Sequence, residues 1–165
     1  MLAAAKTKEE IVQISKSGQK ILQLIEDSKK PFIAAIKGSC LGGGLEVALA
    51  CHYRLAMMGK KIYECSKENL KKKNRCIKIF YLCTCSDKST KLGLPEIKLG
   101  LLPGAGGTQR MPKLVSLPNA IEMCSSGKEV RADRAKKMGL IDMVVKPLGP
   151  GLKPANDRYF SNFKN

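Results

Sequence analysis

"SCLGGGLEVALAC", residues 39–51, sets three consecutive glycines directly before an apolar, helix-patterned run. Glycine is costly inside a helix or a strand, so the run marks a join between elements. The spacing predicts a helix from Leu45 to about Tyr53, with Val47, Leu49 and Ala50 as its apolar surface and Glu46 in its first turn. The backbone N–H groups that open a helix have no intrahelical partner. They carry the positive end of the helix dipole. Glycines let a ligand reach that backbone, so such a place can stabilise an oxyanion. A carboxylate one turn in is then placed for acid–base work. The plain structural reading is a tight strand–helix turn with a dipole-pairing glutamate, and spacing alone leaves both open.

Working outward, the grammar of strand, glycine loop and helix recurs. Thr7 and Glu10 have capping-box spacing, opening a helix over 7–29 with Ile11, Ile14, Ile21 and Ile25 on one face and Leu22 and Leu24 beside it. Pro31 closes it. "FIAAIK", residues 32–37, reads as a buried strand, and Gly38–Gly44 as loop. "LGLPEIKLGLLPGAGGTQRMP" reads as loop, short strand and loop, with a helix opening near Gly106. Further helices are expected over 117–124 and 131–139, the second ended by Gly139, and a strand over 140–145. From Pro147 onward no periodic pattern shows, and 156–165 is a tail. The fold class is α/β (α+β).

At 165 residues and 44% hydrophobic content, the chain has material for one modest domain and is not compositionally disordered. No apolar run is long enough to span a membrane, and the N-terminus has no h-region; its glutamates argue against a transit peptide. Net charge is +16, from 30 Lys+Arg against 14 Asp+Glu. Residues 57–91 hold ten Lys/Arg and three Asp/Glu, so +7 of that excess (10 − 3) sits in one segment. The same segment holds Cys65, Cys76, Cys83 and Cys85, four of the seven cysteines, and ends in a β-like run, IKIFYLCTC. The cysteine spacing fits no common zinc pattern, and the thiols read as reduced. KKKNR, 71–75, has no accompanying RNA-binding motif, so a solvated loop is the expectation and no nucleic acid is expected as a partner. His52 is the one histidine and reads as a cap or packing residue.

Glu96, preceded by Pro95 among apolar neighbours, is a second candidate carboxylate, since apolar surroundings raise a carboxyl pKa. On its own it reads better as an exposed strand-end charge. "GAGGTQR", 104–110, lacks the Lys-Ser/Thr of a P-loop and the spacing of a dinucleotide fingerprint.

"IAAIKGSCLGGGLEVALACHYRLA" with "GLPEIKLGLLPGAGGTQRMPKLV" resembles the crotonase family of enoyl-CoA hydratases and isomerases. "RADRAKKMGLIDMVVKPLGPGLKP" is similar to the hydratase region of the alpha subunits of trifunctional mitochondrial enzymes. The resemblance covers about 1–56 and 91–155, which implies a partial hydratase domain over 1–155 interrupted by 57–91. It implies repeated ββα units and an acyl-CoA substrate. Water adds to a 2-enoyl-CoA of fatty acid β-oxidation to give a 3-hydroxyacyl-CoA. Glu46 and Glu96 match the two glutamates that position and activate water, which favours hydratase over isomerase. Gly43 matches an oxyanion donor, with Gly42 and Gly104 beside the substrate; 104–110 would form the surroundings of the second glutamate. CoA enters as part of the substrate, and no metal, redox cofactor or NAD site is expected. The family's second oxyanion donor lies upstream of a residue like Met1, so truncation at both ends is expected. A non-catalytic fragment acting only as a binding or assembly surface is the alternative. The likeness also implies a mitochondrial location, a homo-oligomer or a thiolase-type beta subunit as partner, and peripheral inner-membrane association. Residues 57–91 have no family counterpart and read as translated intron or as a surface loop.

Overall fold

The computed structural model describes residues 7–57, 78–83 and 90–145. The first helix, α1, spans Lys8–Glu26. Thr7 Oγ1 accepts from the Glu10 N–H at 3.2 Å and Glu10 Oε2 accepts from the Thr7 N–H at 3.3 Å, the reciprocal capping box its spacing predicted. The apolar face predicted for α1 is only partly buried. Leu22 and Ile25 enter the core, whereas Ile21 and Leu24 stay 60% and 73% exposed. The reason is that α1 also lays a polar ridge, Ser15, Gln19, Gln23 and Glu26, along a loop of the chain.

Phe32–Lys37 is β1, as its uninterrupted apolar run required. It is one of two inner strands of a four-stranded parallel sheet ordered β4-β1-β3-β7, where β3 is Tyr53–Met57, β4 is Lys78–Cys83 and β7 is Met143–Val145. Ile33 pairs with Tyr53 on one side and Ile79 on the other. Residues 78–83 of the run IKIFYLCTC are therefore a strand built into the sheet, so part of 57–91 is not surface loop; the four cysteines' side chains and KKKNR lie outside what the structure describes. The predicted strand over 140–145 is shorter, because Leu140 and Ile141 pack into the core ahead of it.

A second, three-stranded sheet was not legible in the sequence. It consists of β2 (Ser39–Leu41), β5 (Lys91–Gly93) and β6 (Val130–Arg131), in the order β2-β5-β6. β2 lies in the stretch read as loop. It runs parallel to β5, with Cys40 opposite Leu92, and the Gly42 N–H extends the ladder to the Gly93 carbonyl at 3.0 Å. This pairing positions the site, because Glu46 and Glu96 follow the C-terminal ends of two hydrogen-bonded parallel strands.

Helices α2 (Gly43–Ala50), α3 (Gly107–Leu114), α4 (Leu117–Ser126) and α5 (Ala132–Lys137) complete the fold, with a 3₁₀ turn at Pro95–Leu99. Ile36, Leu45, Leu92, Leu94, Met111, Met123 and Leu140 are the large side chains fully buried between them. Arg54 is buried too. It pairs with Asp142 Oδ2 at 3.0 Å and donates to the Cys51 carbonyl at 2.6 Å, tying β3 to the entry of β7. His52 packs as expected: its Nδ1 accepts from the Phe32 N–H at 3.1 Å and its ring stacks on Phe32. Cys40 and Cys51 are free thiols, pushed up to about 12 and about 11, chiefly by burial.

Candidate active site

The glycine stretch divides its work. Gly42 sits at φ +55° and ψ −130°, a conformation closed to other residues without strain, and ends β2. Its carbonyl accepts the first helical bond of α2, from the Glu46 N–H at 3.0 Å. Gly43 is the first residue of α2, where the N–H has no intrahelical partner. Beside Gly43 and Gly44 the space that a methyl group would take is open. A ligand can therefore approach this helix start, as the sequence suggested.

Glu46 is buried, only 4% exposed. Its Oε1 accepts two backbone hydrogen bonds, from the Ala105 N–H at 2.9 Å and the Gly107 N–H at 2.8 Å. The donors are the N-terminal end of α3 and the loop before it. Sequence reading gave this loop to the second glutamate; the structure gives it to the first. The signal was present in GAGGTQR, a glycine loop opening a helix, which is a holder for an anionic oxygen. Gly107 is required by contact: a methyl there would lie 3.1 Å from both Cγ and Oε1 of Glu46.

Glu96 opens the 3₁₀ turn, with Pro95 at its first position. Its Oε1 lies 3.1 Å from where a side chain on Gly42 would begin. Its Oε2 is buried with no hydrogen-bond partner among the described residues. Burial, and to a smaller degree the charge of Glu46, pushes the Glu96 carboxyl above the ordinary range, against the opposing effect of a hydrogen bond from its own backbone. The same two carboxylates, after burial, push up the half-buried Cys124 thiol of α4, which sequence reading did not place here.

Gly104 lies at the edge of this arrangement. Its carbonyl accepts from Ser15 Oγ at 2.7 Å and Gln19 Nε2 at 2.8 Å, so it faces α1. Among the described residues no group of His, Cys, Asp and Glu is arranged to hold a metal ion.

An accessible helix start flanked by two carboxylates, one clamped and one with a free buried oxygen, defines a class of site. Such an arrangement brings together the groups with which a carbonyl can be polarised and a proton moved. The family model for enoyl-CoA hydratase/isomerase matches residues 2–65 and 81–147, and the chain belongs to this family. The stretch left unmatched, 66–80, is shorter than the insert expected from the sequence.

Among curated relatives, the fatty acid oxidation complex subunits alpha of Vibrio campbellii and Shewanella loihica are 43% and 44% identical over 145 residues. Those alignments cover 88% of this chain but 17% of each relative, so the chain spans about a sixth of their length. The solved enoyl-CoA hydratase from Thermoplasma volcanium superposes with a TM-score of 0.66 at 32% identity, covering 88% of this chain and 46% of that one. The enoyl-CoA hydratase from Bacillus anthracis gives 0.64 at 31% identity, covering 87% and 44%.

Proposed function

We propose that the chain carries the hydration half-site of an enoyl-CoA hydratase of fatty acid β-oxidation. The observation that carries the reading is the pair of carboxylates around Gly42–Gly43: Glu46 fixed by two N–H groups, Glu96 with an unpartnered buried oxygen. The Gly43 N–H donates to the thioester oxygen, favouring the enolate that forms as the double bond is attacked. Water sits between the carboxylates. Its oxygen bonds to C3 of the enoyl chain, one water proton passes to a carboxylate, and C2 receives a proton in return. The product is the 3-hydroxyacyl thioester, with one water consumed and no change of oxidation state. A carboxyl held above its ordinary range, as Glu96 is, keeps a proton more readily than a free one, which suits it to return a proton in the reaction.

CoA enters only as part of the substrate, and the reaction draws on no metal, redox cofactor or NAD. The relatives named as complex subunits support working within an assembly. A homo-oligomer, a thiolase-type beta subunit, inner-membrane association and a mitochondrial location rest on the resemblance alone, and the relatives cited are bacterial. The same holds for the domain reading, a hydratase region over 1–155 with the inserted segment inside it.

Crotonyl-CoA and a long-chain 2-enoyl-CoA, offered to the purified chain, test the proposal by loss of the conjugated-thioester absorbance. Hydration that depends on Glu46 and Glu96 supports it. A rate unchanged in the Glu46→Gln, Glu96→Gln double variant rejects it.

A further inference from the structure

We infer that Arg110, together with the polar ridge of α1, is a positioning device for Glu46. This rests on the proposed role of Glu46, but it is read from a different set of contacts.

The loop 104–107 faces two ways. Its carbonyls are taken up on the α1 side. Ser15 and Gln19 both donate to the Gly104 carbonyl, at 2.7 and 2.8 Å, and Arg110 Nη1 donates to the Ala105 carbonyl at 3.0 Å. Its N–H groups at Ala105 and Gly107 point the other way, to Glu46 Oε1. The peptide group is planar, so fixing a carbonyl fixes the N–H on the far side of the same unit. Holding the Gly104 carbonyl thus aims the Ala105 N–H, which belongs to the same peptide.

Arg110 anchors the other end. It is 7% exposed, and its Nε donates to Glu26 Oε2 at 2.8 Å. The guanidinium thus spans α1 and the loop, a fork that lysine cannot reproduce. Gly106 sits at φ +108°, and a methyl there would collide with Arg110 Nη1. A side chain at 106 would thus compete with the guanidinium for its place. Ser15, Gln19, Gln23 and Glu26 recur at helical spacing, so one face of α1 supplies the partners that hold the Gly104 carbonyl and Arg110. The clamp leaves Glu46 one orientation, with Oε1 spent on backbone donors.

The test uses the full chain and two readouts. The first needs no activity: amide resonances of Ala105 and Gly107, with Glu46→Gln as the reference for a lost carboxylate acceptor. In Arg110→Lys and in Ser15→Ala both amide protons move upfield, toward their Glu46→Gln positions. The second is crotonyl-CoA hydration. Arg110→Lys lowers kcat by about tenfold to a hundredfold with KM little changed, the scale of a misplaced catalytic group. In the Glu46→Gln background the same substitution has almost no further effect. Unmoved amides in both variants overturn the inference, whatever the activity. An equal kcat loss with and without Glu46 also overturns it, because the arginine then acts on the fold alone. A wild-type chain without hydration activity counts against the proposed function, while the amide shifts still decide the positioning role.

Discussion

Replacing Gly107 by alanine puts a single methyl group against the candidate catalytic carboxylate. The added carbon lies 3.1 Å from Glu46 Cγ, 3.1 Å from Glu46 Oε1 and 3.1 Å from Leu94 Cδ1. Ordinary contact needs a few tenths of an ångström more at each. Leu94 is fully buried, so the carboxylate is the group that moves, away from the Gly107 N–H it now accepts from at 2.8 Å. Overpacking of this kind costs about 1–3 kcal/mol. Reduced freedom of the unfolded chain returns about 0.4–1 kcal/mol. The net loss is about 0–2.6 kcal/mol, which at this chain length lowers Tm by up to about 10 °C. Activity responds far more steeply, because a displaced catalytic group costs on the order of 10²-fold in rate. Differential scanning fluorimetry and steady-state hydration of crotonyl-CoA on the same sample measure both. A folded Gly107→Ala protein with wild-type kcat would refute the assignment of Glu46 as a positioned catalytic carboxylate.

Gly42→Ala and Gly43→Ala separate strain from access. At φ +55° and ψ −130° an alanine at 42 costs about 1–3 kcal/mol and crowds Glu96, so stability and hydration fall together. At 43 the methyl finds open space, so Tm holds while kcat/KM falls, because the approach to the helix start is narrowed. Glu96→Gln has a pH signature visible in melting curves. A carboxyl raised above its ordinary value of 4.5 is favourable below that value, and its contribution is lost as pH rises through the raised value. The glutamine variant therefore gains Tm over wild type at neutral pH, and the gain shrinks in acid; an equal gain at every pH would contradict the burial of this carboxyl. Asp142→Ala strands the Arg54 guanidinium against β3 and costs about 1–3 kcal/mol by denaturant unfolding, with kcat untouched.

Local signals, a glycine run for Glu46 and Pro95 for Glu96, drew attention to the two glutamates, but only the family resemblance paired them. β1 was legible because both of its edges are paired, which makes its run apolar throughout. What stayed hidden depends on partners distant in sequence. β2 is three residues long, and glycine on either side of it reads as loop until β5 lies alongside. The glycine loop GAGGTQR was visible, but that its Ala105 and Gly107 N–H groups meet Glu46 depends on packing across 59 and 61 residues of sequence. The ridge of α1 was hidden by its own apolar residues. Ile21 and Leu24 match a buried helix face in spacing, yet the helix spends its contacts on Leu22, Ile25 and a polar loop. Cys124 reads as one more helix cysteine until α4 packs on the 3₁₀ turn that carries Glu96.

Hydration in ¹⁸O-labelled water tests the central claim most directly, by following the oxygen atom. The purified chain, given crotonyl-CoA, is expected to yield 3-hydroxybutyryl-CoA labelled at C3, with Glu46→Gln and Glu96→Gln each slowing the labelling by orders of magnitude. Unlabelled substrate recovered from the wild-type chain, or equal labelling by the double variant, would contradict it.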